Sequence, residues 1–127
     1  MKDVNDTGSG VTYYNLGVVY QQQGKLEEAI HVFQRALEVG FSSADVHINL
    51  GVIYYQNGKL DQAIHSYQKA ISLAPDYDTA HYNLGRAYQQ QEDLGNAIQA
   101  YHKAIQLNPN YTKAYYNLGV VYYQQGM

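Results

Sequence analysis

The chain contains no cysteine and no tryptophan. Without thiols there is no disulfide frame, no thiolate metal site and no cysteine nucleophile, and that usage is compatible with a reducing, cytoplasmic setting. Charge is also sparse: 8 Lys and Arg face 11 Asp and Glu, a net −3 at pH 7, with no basic run. Nucleic acid is therefore not an expected partner, because phosphate contacts need clustered cations. No apolar stretch approaches the roughly 18 residues that can span a bilayer. The polar start, residues 1–10, lacks the apolar segment of a signal peptide, so no membrane insertion is expected. Proline is limited to two residues.

What the chain has is tyrosine, 15 copies, and repetition. The block Tyr-Tyr-Asn-Leu-Gly-Val-Val-Tyr at Tyr13–Tyr20 returns letter for letter at Tyr115–Tyr122. Variants of it lie at His47–Tyr54 and His81–Tyr88, each step being 34 residues. A fixed period of that length means one small unit stacked about three and a half times, not a single globular core.

The unit Ala44–Tyr77 shows the local logic. Ser42 and Ser43 offer side-chain oxygens to cap a helix start. Ile48, Leu50, Gly51, Ile53 and Tyr54 then recur at spacings of three and four, the period of a helix. Gly58 stops that helix in the left-handed conformation that glycine tolerates. Leu60 and Asp61 begin a second helix carrying Ala63, Ile64, Tyr67, Ala70, Ile71 and Leu73 on one face. Pro75 closes the unit, since it cannot continue a helix. The same register gives units at Gly10–Ser43, Ala44–Tyr77 and Asp78–Tyr111. A lone first helix follows at Thr112–Met127, and a polar tail over residues 1–9 precedes the array.

Glycine inside a helix costs roughly 0.5–1 kcal/mol relative to alanine. Its return at Gly17, Gly51, Gly85 and Gly119 implies close helix approach that offsets the cost. Ala29, Ala63 and Ala97 are the expected facing surface. Ala36, Ala70 and Ala104 would face the next unit, with Phe33, Tyr67 and Tyr101 filling the space around them.

These residues resemble the tetratricopeptide repeat (TPR) family. Its pattern is met at His47, Leu50-Gly51, Tyr54, Ala63, Tyr67, Ala70 and Pro75. It is met again at His81, Leu84-Gly85, Tyr88, Ala97, Tyr101, Ala104 and Pro109. The resemblance covers residues 10–127 and implies an all-α, right-handed superhelical solenoid of antiparallel helix pairs. Phe41 departs from it where proline is expected, and Glu92 replaces the turn glycine. With Gly95 at the start of the following helix, the third hairpin is expected to be the looser one.

The resemblance further implies that the first helices line a concave groove that binds a protein or peptide partner. The inward row of amides is Asn15, Asn49, Asn83 and Asn117. A carboxamide both donates and accepts, so it can hold peptide backbone regardless of side chain. Stacked helices repeat at roughly 10 Å and an extended strand rises about 3.3 Å per residue. One Asn would thus meet about every third peptide residue. Alternatively, each Asn bonds a neighbouring helix or Tyr hydroxyl and shapes the unit.

Tyr14, Tyr55, Tyr82, Tyr116 and Tyr123 add amphipathic contact surface at low entropic cost, although about half would serve helix packing. Arg86 and Lys113 are the inward cations, too few for the clamp with which some TPR domains hold a terminal carboxylate. An uncharged or mildly apolar extended segment is the expected ligand.

The fourth helix lacks a partner helix in this sequence, and its second apolar face, Leu118, Val121 and Tyr122, is expected to meet water. Such a face invites a homodimer, and a self-associating structural solenoid or a regulatory fragment of a larger protein is the alternative to peptide binding. The five His residues bring no third ligand at metal spacing, and no Ser has a paired base or phosphate-cradling loop. No metal, cofactor or catalytic activity is expected.

Overall fold

A computed structural model describes the backbone of residues 3–126. The described residues form seven helices and no strand. They are α1 (Asp3–Gln22), α2 (Leu26–Glu38), α3 (Ala44–Gln56), α4 (Leu60–Leu73), α5 (Asp78–Gln90), α6 (Leu94–Leu107) and α7 (Thr112–Gln124). Ser43 caps α3 as its residue type suggests, its Oγ accepting the Asp45 N–H at 3.1 Å. Upstream of Gly10 the chain is already helical, since α1 starts at Asp3. The first element is therefore longer than its counterparts.

Each hairpin closes with the same backbone device. The N–H of Lys25, Lys59 or Asp93 reaches back to the carbonyl of Tyr20, Tyr54 or Tyr88 at 2.9, 2.8 and 2.9 Å. The residue before each of these donors lies in the left-handed region, which is how a helix end satisfies its orphan carbonyls. Gly24 and Gly58 do this at φ 77° and 76°, and Glu92 does it at φ 64°. Thus the third hairpin, expected to be looser, keeps the turn at the cost of a left-handed Glu. Its following helix is capped by Asp93, whose Oδ1 accepts the Asn96 backbone N–H at 3.5 Å and whose Oδ2 accepts the Asn96 side-chain amide at 2.9 Å.

The end of α2 explains Phe41. Its N–H donates to the Ala36 carbonyl at 2.9 Å, a bond that proline has no hydrogen to make. The first unit therefore closes by a backbone bond where the later ones close at Pro75 and Pro109. The Phe41 ring packs on Tyr14, 5.9 Å between centroids.

Within each pair the helices meet at glycine. A methyl group on Gly17 would lie 2.5 Å from the Phe33 ring, one on Gly51 2.5 Å from Tyr67, and one on Gly85 2.7 Å from Tyr101. The aromatic ring of the second helix, rather than the early alanine, is what presses on glycine. Ala29, Ala63 and Ala97 are fully buried beside it. At Gly119 an added methyl meets nothing within 4 Å, since no second helix covers α7.

Between units, buried residues form a chain of clusters, each shared by neighbours. Ala29 and Phe33 join Val46, Leu50 and Ile53. Ala63 and Tyr67 join Leu84 and Ala87. Ala97, Tyr101 and Ala104 join Ala114, Leu118 and Val121. Leu118 and Val121 are 8 % and 0 % exposed, which corrects the expectation that they meet water. Burying such side chains stabilises by roughly 1.5–3 kcal/mol each, and that burial is what docks α7 on the third pair. They are unavailable for self-association.

The first helices touch one another in sequence, α1 with α3, α3 with α5 and α5 with α7, whereas α2, α4 and α6 make no mutual contact. The stack therefore curves with the first helices inside and the second helices splayed outside. This is a right-handed superhelical α-solenoid. Among the described residues no helix is long and apolar enough to cross a membrane.

Candidate functional site: the inner face

The inner face collects one row of side chains from α1, α3, α5 and α7, because the same helical positions repeat in each unit. Its four asparagines are not equivalent. Asn49 donates from Nδ2 to the Tyr14 hydroxyl at 3.3 Å, and Asn117 donates to the Tyr82 hydroxyl at 3.0 Å. Each of these amides is tied to the tyrosine of the preceding unit. Asn15 belongs to the first unit and is exposed.

Asn83 breaks the pattern. Ile48 occupies the place that Tyr14 and Tyr82 hold for the other two, and isoleucine has no hydroxyl. Asn83 is 9 % exposed and has no hydrogen-bond partner among the described residues. No side-chain polar atom is left both buried and unbonded among the described residues, so the Asn83 amide opens to the groove and is free to bond a ligand there.

The tyrosines divide between packing and surface. Tyr14 lies 5.9 Å from Phe33, and Tyr82 lies 5.9 Å from Tyr101 and 4.9 Å from Tyr111. Burial and the nearby Asp45 carboxylate hold the Tyr14 hydroxyl above its ordinary pKa, so it stays a neutral partner for Asn49. Tyr116 and Tyr123 stand 72 % and 82 % exposed and are open to a partner. Tyr55 is half-buried beneath Arg86, whose guanidinium carbon sits 4.8 Å from the Tyr55 ring centre and 5.9 Å from that of Tyr82. That stacking fixes the cation in place.

Beside Arg86 lies an open cavity of about 310 Å³, bordered by Tyr55, Gln89, Glu92, Asn117 and Gln124. Tyr101 donates its hydroxyl to Gln89 Oε1 at 2.6 Å, and Gln89 Nε2 donates onward to Gln124 Oε1 at 3.3 Å. Burial keeps the Tyr101 hydroxyl well above the usual tyrosine pKa, so it remains a donor. This relay joins the third unit to α7. A second inner cavity of about 410 Å³ runs past Tyr82, Asn83 and Arg86 to Lys113. The two cavities bring Asn83, Asn117, Tyr55, Tyr82 and Arg86 together on one surface.

Gln89 and Gln124 stand at inward positions of the repeat register, but sequence does not show that they bond each other. The signal available for the glutamines was their recurrence at the last inward positions of each first helix. Glu92 stands out in sequence only as the replacement of the turn glycine, and its place at the cavity rim comes with the left-handed turn.

The exposed part of α7 also differs from expectation. Tyr115 is 50 % exposed and lies near the open Gly119, whereas Tyr122 is half-buried and hydrogen-bonded to His102 at 3.1 Å. Among the described residues no group of three or more His, Asp and Glu is placed to hold a metal ion.

Comparison with known proteins agrees with this architecture. The family profile described as TPR repeat matches residues 20–58, 51–92 and 86–126. A search of curated proteins returns no match. Among solved structures, the crystal structure of MamA superposes with a TM-score of 0.89 at 30 % identity, over 92 % of this chain and 68 % of that one. YrrB, described as a TPR protein with an unusual peptide-binding site, gives 0.83 at 25 % identity, over 92 % and 60 %. The first TPR of Spaghetti (RPAP3), bound to an HSP90 peptide, gives 0.90 at 21 % identity, over 95 % and 96 %, a likeness of fold. With its repeat profile matched along most of its length and its helix pairs stacked in this manner, the chain belongs to the tetratricopeptide repeat family.

Proposed function

We propose that this chain is a protein-interaction module without catalysis of its own, holding an extended peptide segment of a partner along its inner face. The observation that carries the reading is Asn83: an amide nine-tenths buried on the groove floor, with no described partner. A peptide backbone supplies both a donor and an acceptor for it. Asn49 and Asn117 each spend one N–H on a tyrosine and keep the carboxamide oxygen for a peptide N–H. Tyr116 and Tyr123 supply apolar area.

Arg86 and Glu92 border the same cavity, so its charges offset each other and suit an uncharged segment. The crystal structure of YrrB, a relative in fold with a described peptide-binding site, is consistent with that use of the surface.

The test uses a peptide selected by display against the immobilised protein, with affinity read by fluorescence anisotropy. Asn83→Ala removes one buried hydrogen bond and weakens binding about tenfold, a loss of roughly 1–1.5 kcal/mol, with unchanged helical circular dichroism. An affinity equal to wild type takes the amide row out of recognition.

A second reading rests on the open face of α7. Gly119 has nothing within 4 Å of a built methyl, and Tyr115 beside it is half exposed. That face would pair with a second copy, giving a homodimer in light scattering at high micromolar concentration. A monomer there rules it out.

A further inference from the structure

The outer gap between α2 and α4 holds another cavity, about 370 Å³, which shares no lining residue with the inner ones. Leu37, Leu50 and Tyr54 form its apolar part, and His47, His65 and Lys69 stand at its polar side. A comparison along the stack shows what makes this gap special. Between the second and third pairs, Gln68 donates to the Tyr88 hydroxyl at 3.2 Å, and between the third and α7, His102 meets the Tyr122 hydroxyl at 3.1 Å. The corresponding residues here, Gln34 and Tyr54, make no such bond among the described residues, so the outer latch is open.

His47 departs from its counterpart in the same way. His81 Nε2 bonds the Pro75 carbonyl at 3.0 Å. At the first junction Phe41 replaces that proline, and His47, 9 % exposed, has no hydrogen-bond partner among the described residues. A nine-tenths-buried imidazole without a partner lines a cavity of small-molecule size.

One cation and one carboxylate line this cavity. Lys69 and His65 lie on α4, and the Asp61 carboxylate at the rim already accepts the Gln91 amide at 2.6 Å. Burial first, then the positive potential of Lys69 and His65, lowers the His47 pKa.

We propose that this outer cavity is a binding site for a small monocarboxylic acid with an aromatic or branched aliphatic body. The body packs on Leu37, Leu50 and Tyr54. The carboxylate faces Lys69 and accepts from the His47 ring N–H. Such a site operates independently of the inner face, which makes the module capable of holding a peptide and a small acid at once.

The experiment follows the histidine ring signals by NMR during titration with three probes: 4-phenylbutyrate, 4-phenylbutanol and 4-phenylbutylamine. The acid is expected to shift His47 and His65 saturably while His31 and His102 stay still. The alcohol should bind at least fivefold more weakly, and the amine should produce no saturable shift. Lys69→Gln, at an exposed position, should bring the acid down to the alcohol's affinity. His47→Tyr, the residue that the first and fourth units carry at Tyr13 and Tyr115, should abolish the shift of His65. No saturable His47 shift at millimolar acid overturns the proposal. So does equal affinity for acid and amine, or an acid affinity that Lys69→Gln leaves unchanged.

Discussion

At the scale of single residues, the recurrent glycines are the clearest case of sequence carrying structure. Four copies at one register could be read as a demand for close approach before any coordinates. The identity of the approaching group could not, because spacing locates faces but not the depth to which a ring reaches. Phe33, Tyr67 and Tyr101 take that place, and their full burial leaves them no room to yield. Gly51→Ala should therefore cost about 1–3 kcal/mol, as overpacking does in a well-filled core. Gly119→Ala should instead gain about 0.5–1 kcal/mol, the helix preference of alanine without a clash. Chemical denaturation of the two variants beside wild type checks the opposite signs.

The asparagine row was equally legible as a row and equally illegible in detail. Four identical letters gave no reason to expect two tied amides and one free. The difference comes from a second position, where Ile48 interrupts the tyrosines. Only the stack shows that these two positions meet.

At the scale of elements, the turns read well because backbone chemistry is local. Ser43 caps α3, and Gly58 takes the left-handed turn that glycine favours. The fate of α7 read badly. Periodicity shows that a helix has an apolar stripe, but not which part of it a neighbour covers. Leu118 and Val121 are the part that α6 buries.

The second unit also carries a pH-sensitive tie between its two ends. Tyr77, at the end of the second unit, donates its hydroxyl to Asp45 Oδ1 at 2.6 Å. That bond to the carboxylate, then burial, then the charge of Asp45, pushes the Tyr77 pKa up to about 12 from 10.0. A raised folded-state value means the neutral form is favoured on folding. Its contribution is fully present below pH 10 and is lost as the pH rises through about 12. Tyr77→Phe should be less stable than wild type at pH 8, and the gap should close by pH 12. Melting temperatures across that range measure it, and a gap independent of pH would separate the bond from stability.

At the scale of the whole molecule, the 34-residue period settles the architecture because no single pair can bury its own surface. Curvature then follows from which helices touch: the first helices meet and the second helices do not. The result is one concave polar surface and a series of outer gaps. The period says nothing of the ligand, which depends on the few positions where units differ, such as Ile48, Arg86 and Phe41. Those differences became informative only when neighbouring units were compared in space.

The most direct test of the inner-face reading maps a display-selected peptide by backbone and side-chain amide NMR. Shift changes should concentrate on α3, α5 and α7 at Asn49, Tyr82, Asn83, Arg86 and Asn117, with the Asn83 carboxamide signals moving on saturation. Changes confined to the outer helices α2, α4 and α6, with the Asn83 amide unmoved, would contradict binding along the groove.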